Sequence, residues 1–187
     1  MKSELDVKIT CALGILFFAL FFYFYKKTDF LSFYEFGSQA VAITALIRYI
    51  FIKWLWKRVP FLELLHKVPN LEGEWVGFYE STYNTPNKRG EIKVIISQPS
   101  IFEIKIKQIS SDSDSRSISE SLSVENDGDT KLSYIYLVEP KATLKHKHQI
   151  SFGSAIYSLK KDSNKLTLKG NYWTDQKTTG YSELEKV

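Results

Sequence analysis

LEGEWVGFYES, residues 71–81, places Leu71, Gly73, Trp75, Gly77, Tyr79 and Ser81 on one face of an extended chain. A repeat of two is that of a β-strand with one buried face. The same period runs on through EIKVIIS, IFEIKIK, SRSISESLSV, KLSYIYLV, QISFGSAIYSLKK, KLTLKGNYW and TTGYSELEK. Turn chemistry separates these runs: Asn84, Pro86, Asn87 and Gly90, then a tight Gln98-Pro99-Ser100 corner, Asn126-Asp127-Gly128, and Asp162-Ser163-Asn164. No long run of helical period follows residue 69. Eight short antiparallel strands in so few residues point to a small closed barrel or a sandwich. We favour the eight-stranded barrel, because closure leaves no exposed edge and a barrel of that size can hold one small ligand.

Upstream of this stretch the chain is of another kind. ITCALGILFFALFFYFY, residues 9–25, carries no charge, and 17 residues of helix span about 25 Å, near the lower limit for a bilayer core. Tyr23, Tyr25, Lys26 and Lys27 mark a membrane–water interface at its end. A second apolar segment covers residues 36–56. Gly37, Ala40, Ala42 and Ala45 allow close helix packing there. Arg48 lies inside it and has two readings. It snorkels to the nearer interface, or it joins Gln39 and Thr44 in a polar face directed at other helices. Thr44 and Arg48 are four apart and share a face. The short connection between the segments makes a hairpin. Six Lys/Arg flank its open end against two at its turn, which places both termini and the β domain in the cytoplasm. The expected organisation is therefore a membrane α-helical hairpin plus an all-β domain. Residues 1–58 hold two transmembrane helices, 59–69 a basic amphipathic connector, and 70–187 the barrel.

Charge follows the same division. The 187-residue chain has a formal net charge of +4. Nine Lys/Arg and five Asp/Glu precede Asn70, and sixteen of each follow. A neutral barrel argues against a long phosphate-tracking surface, so neither DNA nor RNA is an expected partner. The single Cys11 allows no disulfide within the chain. His66, His146 and His148 are the only histidines, the last two in the lysine-rich KHKHQ turn. No zinc spacing, nucleophile elbow or phosphate-binding loop is present. We therefore expect no enzyme, no metal and no cofactor.

Two features suggest a ligand. Ser115, Ser117, Ser119, Ser121 and Ser123 alternate strictly, so one face of that strand reads as all hydroxyl. It is a solvated face, or it lines a polar cavity able to bond phosphate or base edges. Tyr83, Tyr134, Tyr136, Tyr157, Tyr172 and Trp173 lie in or beside strands. Most are core residues, but one or two can stack on nucleobases. Lys88, Arg89 and Lys177, near strand ends, can neutralise phosphates.

These residues in this order resemble a known family. The apolar helix pair is followed by L-E-G-E-W-x-G at 71–77 and S-T-Y at 81–83. Gln98, the alternating serines, L-S-Y-I-Y at 132–136, L-x-G-x-Y-W-T at 168–174 and T-x-G at 178–180 come after. The pattern is similar to the two-transmembrane, β-strand-rich, SMODS-associating effectors of bacterial CBASS anti-phage systems. It departs where that family has an arginine shortly after Y-W-T. Here the stretch is Asp175-Gln176-Lys177, with Gln176 at that position and Lys177 as a substitute. The resemblance implies a receptor and an executioner in one chain of the inner membrane. The barrel binds a cyclic dinucleotide made by a CD-NTase, the protein self-assembles, the hairpins disrupt the lipid bilayer, and the infected cell dies in abortive infection. Under that reading the ligand-binding candidates are Tyr83, Ser117, Ser119, Tyr134, Tyr136, Trp173, Thr174 and Lys177. Gly37, Thr44 and Arg48 are candidates for transmembrane assembly. The alternative is a membrane-anchored adaptor whose barrel holds a protein or lipid partner.

Overall fold

The eight strands of the barrel are β1 (Gly73–Ser81), β2 (Lys88–Ser100), β3 (Glu103–Ser110), β4 (Ser113–Val124), β5 (Thr130–Pro140), β6 (Ser151–Asp162), β7 (Lys165–Thr174) and β8 (Thr179–Lys186). The computed structural model describes residues 2–24, 30–59, 66–82, 88–124, 129–144, 149–162 and 165–187. Two units divide the chain, one of residues 1–68 with 100–102, the other of residues 69–99 with 103–187.

In the second unit each strand pairs with its neighbours in sequence, and β8 returns to β1, so the sheet is a closed barrel. The seam pairs Trp75 with Lys186 through to Ser81 with Gly180. The alternation read from residues 71–81 holds. Leu71 and Trp75 are fully buried, and Ser81 is buried at the far end of β1. Trp75 Nε1 donates to the Leu71 carbonyl at 2.9 Å, so the indole fills this end of the barrel with its one polar atom satisfied. Val94, Ile96, Ile104, Ile106, Leu132, Leu168 and Leu184 pack with it. Each buried aliphatic side chain contributes about 1.5–3 kcal/mol. Gly77 and Gly170 sit where neighbouring backbone crowds in. A Cβ at Gly77 would collide with the Glu183 carbonyl, and one at Gly170 with that of Ile156. Only glycine fits such close approaches in a tightly coiled sheet.

Gln98 completes the packed end. It is fully buried, its Oε1 accepts from the Leu71 N–H at 2.9 Å, and its Nε2 donates to the Pro69 carbonyl at 3.4 Å. The expected corner at Gln98-Pro99-Ser100 is displaced: β2 runs through to Ser100, and the turn is at Ile101-Phe102. Gln98 is thus a strand residue whose amide anchors the chain entering β1.

A larger correction concerns the serine ladder. β4 pairs Ser117 with Tyr136 but Ser119 with Ile135, which leaves Ile118 as an extra residue. This β-bulge shifts the alternation by one. Ser115 stays buried, whereas Ser119 and Ser121 are exposed and Leu122 turns toward the core. The hydroxyls therefore divide between the two faces of the sheet.

In the first unit α1 (Lys2–Phe24) and α2 (Phe30–Ile50) are followed by a π-helical turn (Phe51–Leu55) and the short α3 (Trp56–Arg58). Both long helices begin before the apolar segments that suggested them. α1 starts at Lys2 rather than residue 9, and α2 at Phe30 rather than 36. Among the described residues, Ser38–Arg58 is the segment long and apolar enough to cross a membrane by length and composition. The first two turns of α1 carry Lys2, Glu4, Asp6 and Lys8. Arg48 forms an ion pair with Asp6, and its Nε donates to Asp6 Oδ1 at 3.1 Å. The arginine therefore meets a carboxylate of its own chain, which neither reading of it anticipated. Gly37 lies within α2, and Thr44 is half-buried. His66, in the connector, is buried with its ring edge-on to Phe51 and Trp56, and its Nδ1 accepts from the Val68 N–H at 3.1 Å.

Candidate functional site

The barrel is packed at the end where the chain enters β1 and hollow at the other. The cavity there measures about 200 Å³. Its walls come from the late residues of β1, β3, β5 and β7 and the early residues of β2, β4 and β6. Tyr79, Ile92, Gln108, Ser115, Tyr136 and Tyr172 form the sides, Tyr157 and Ser182 lie toward the core, and Asp112, Gln149 and Gln176 are at the rim.

Tyrosine organises the interior. Tyr157 stacks on Tyr134, with ring centroids 6.0 Å apart and planes 8° from parallel, and Tyr136 tilts against Tyr134 at 5.6 Å. The Tyr157 hydroxyl pairs with Ser182, that of Tyr134 with Gln108 Nε2, and that of Tyr172 donates to the Glu80 carbonyl at 3.3 Å. Burial pushes the Tyr134, Tyr136, Tyr157 and Tyr172 phenols above their ordinary pKa, and neighbouring phenols add to this. They are neutral at physiological pH and serve as rigid hydrogen-bonding walls. Among the described residues the only carboxyl, amino or guanidinium group lining the cavity is the Asp112 carboxyl. Its Oδ1 accepts from Ser111 Oγ at 2.7 Å.

The β7–β8 turn hangs over the mouth. The Thr174 N–H donates to the Thr178 carbonyl at 2.9 Å, that of Lys177 donates to the Thr174 carbonyl at 3.1 Å, and the two threonine hydroxyls meet at 2.6 Å. Lys177 adopts a left-handed φ of 58°, a conformation that costs a non-glycine residue roughly 1 kcal/mol or more. Asp175 ties the turn to β6. Its N–H donates to the Phe152 carbonyl at 2.9 Å, and its carboxylate accepts from the Phe152 N–H at 3.1 Å. This fixed turn sets Gln176, and not Lys177, against the cavity.

The eight ligand candidates thus separate. Tyr136 and Thr174 line the cavity. Tyr134 is buried behind the wall and supports it. Ser117 accepts the Ile106 N–H at 2.8 Å, satisfying a strand donor beside the bulge. Ser119 and Trp173 are exposed on the outer face. Lys177 is exposed in its turn, and Tyr83 lies outside the described residues. Arg89 stacks its guanidinium on the Phe78 ring at 3.8 Å and does not line the cavity, and the Lys88 side chain, His146 and His148 lie outside the described residues. Tyr79, Gln108, Gln176 and Ser182 line the cavity from outside the eight candidates, as do Tyr157 and Tyr172, which the sequence offers only among the aromatics of which one or two can stack. Tyr79 shares the buried face of residues 71–81, so its signal was available. Gln176 was visible only as a departure from the family arginine.

Residues 66–186 match the family described as Cap15, cyclic dinucleotide receptor domain. Over 181 residues the chain is 26% identical to the CD-NTase-associated protein 15 of Staphylococcus schleiferi, an alignment covering 97% of this chain and 95% of that protein. With the greater part of its length matched, and with the barrel and its cavity inside the matched region, the chain belongs to the Cap15 cyclic dinucleotide receptor domain family.

Proposed function

We propose that this chain is a membrane-anchored cyclic dinucleotide receptor of anti-phage defence, in which ligand capture by the barrel drives self-assembly of the N-terminal helices and disruption of the inner membrane. The observation that carries the reading is the tyrosine- and hydroxyl-lined cavity inside the family-matched domain. Its volume lies below the roughly 300–1,000 Å³ of pockets that enclose a ligand. One nucleoside therefore enters, between aromatic walls that stack on a base. The phosphates stay at the mouth, in keeping with a lining whose described residues include no cation. A ligand that binds the assembled form more tightly shifts the population toward it. The helices cross the membrane as a hairpin, both termini and the barrel face the cytoplasm, and the protein catalyses no reaction and needs no cofactor or metal.

The test is a thermal-shift and calorimetric titration of the 187-residue chain in detergent against cyclic di- and trinucleotides. At least one cyclic dinucleotide should raise the melting temperature by several degrees. No binding across the panel would defeat the ligand-gated reading, and a stably co-purifying protein would favour the adaptor. Replacing α1 by a soluble tag should abolish toxicity in cells and leave ligand binding intact.

A further inference from the structure

The outer surface of β4–β7 carries an uncharged patch that the receptor reading does not use. Ile118, Ile135, Phe152, Ile156 and Trp173 are each between 43% and 57% exposed there. The registers make them contiguous: Ile135 opposes Ser154, Ser154 opposes Trp173, Leu137 opposes Phe152, and Ile156 opposes Asn171. Between the apolar side chains stand only small or neutral ones, Ser119, Ser133, Ser154 and Asn171. Ion pairs close the two margins, Arg116 with Glu139 at 2.9 Å and Lys169 with Glu183 at 2.7 Å.

We infer that this patch is the surface on which the barrel of a second copy of this chain docks when ligand is bound. The inference rests on the receptor reading and gives its self-assembly a location. The five large side chains leave roughly 500 Å² of apolar surface open, toward the upper end of what a monomer exposes. With the serines between them the patch approaches the ~800 Å² per partner of a standard interface. An apolar centre with a polar margin is the anatomy of such an interface. Two copies meeting here bring together no like charges. An anionic bilayer or a nucleic acid would instead engage cations within the patch, and among the described residues between its apolar side chains there are none. Trp173 is the type of residue that anchors protein interfaces.

The patch is also the back of the ligand wall. Ile135 lies between Tyr134 and Tyr136, and Trp173 between Tyr172 and Thr174. Phe152 holds Asp175 of the turn that sets Gln176 over the cavity. A ligand that displaces the inner side chains moves the same strands that present the outer ones.

The experiment uses the 187-residue chain in detergent with cyclic di-AMP, cyclic di-GMP and cyclic GMP–AMP, read by sedimentation and by melting temperature. The probe that raises the melting temperature should also raise the mass of the wild type. Ile135→Asp and Trp173→Asp should keep the thermal shift and lose at least tenfold in assembled fraction, whereas Val76→Asp on β1 should assemble as the wild type does. In a Cys11→Ser background, Ser154→Cys should form a disulfide-linked dimer with ligand. Assembly of both aspartate variants at wild-type levels would overturn the inference. So would an absent Ser154→Cys dimer together with quenching of Trp173 emission by brominated lipids, which would place the patch on the bilayer. If no probe shifts the wild type, the receptor reading fails instead. The Ser154→Cys cross-link at high protein concentration then still decides whether this face pairs copies.

Discussion

Gly153→Ala offers the sharpest test of the cavity. Gly153 is on β6, directly opposite Tyr136 on β5. A methyl group added there would meet Cζ, Oη and Cε2 of the Tyr136 ring, all closer than the 3.0 Å that real Cβ atoms keep. Ordinary contact begins at 3.4 Å, so the ring must retreat by about 1 Å. The backbone cannot yield, because both strands are held in a closed barrel. The ring can, since its free side borders the cavity. The cost of such overpacking is about 1–3 kcal/mol, a fall in melting temperature of roughly 4–12 °C for a domain of this size. The displaced ring occupies space that the ligand needs, and a loss of about 1.4 kcal/mol or more is at least tenfold in Kd. Calorimetry with the active cyclic dinucleotide measures the second effect, and thermal melting without ligand the first. Gly170→Ala is the control, because its methyl meets the Ile156 backbone, which has nowhere to go, and it should prevent folding. Wild-type affinity in Gly153→Ala, or destabilisation equal to that of Gly170→Ala, would show that Tyr136 does not border a functional cavity.

Other perturbations separate stability from binding. Gln98→Leu removes the acceptor of the fully buried Leu71 N–H and should cost about 1–3 kcal/mol, lowering the melting temperature by roughly 4–12 °C. Ligand affinity should be unchanged, as this end of the barrel is opposite the cavity. Alkaline pH acts through the buried phenols. Tyr134, Tyr136 and Tyr157 have folded pKa values raised by burial. Above pH 10 the unfolded chain therefore releases protons that the folded chain retains. Their contribution is complete below the unfolded pKa near 10 and is lost as pH rises toward the folded values. Each adds a downward slope of about 1.4 kcal/mol per pH unit. Urea midpoints should be level from pH 7 to 9 and fall steeply by pH 11, and a flat profile would refute the buried cluster. Gln176→Arg places a cation at the mouth and should tighten binding of a dianionic ligand about tenfold at low salt. Calorimetry at 0.5 M salt should show that gain largely screened away.

How far the sequence carried the reading depended on whether a feature was periodic. Leu71, Trp75 and Tyr79 declared a strand by alternation, and eight such runs with short turns sufficed for the closed barrel. Alternation misled where one residue interrupted it. Ile118 has no sequence mark of a bulge, and it sends Ser119 to the outer face. Trp173 was drawn toward the site by its chemistry, although Thr174 beside it, with the opposite parity, is the residue that lines the cavity. The role of Gln98 required knowing that Leu71 lies across from it. The Arg48–Asp6 pair joins residues 42 apart in sequence, and no local pattern announces such a partner.

The described lining of the cavity bears on time as well as on affinity. Apart from the Asp112 carboxyl it is uncharged, so these residues set up no field that draws an anion toward the mouth. Stacking faces and hydroxyls act at contact range, after encounter. What they contribute to a complex therefore shows in its rate of release rather than in its rate of formation. A substitution at Tyr136 or Tyr172 changes how long the cavity stays filled more than how quickly it fills.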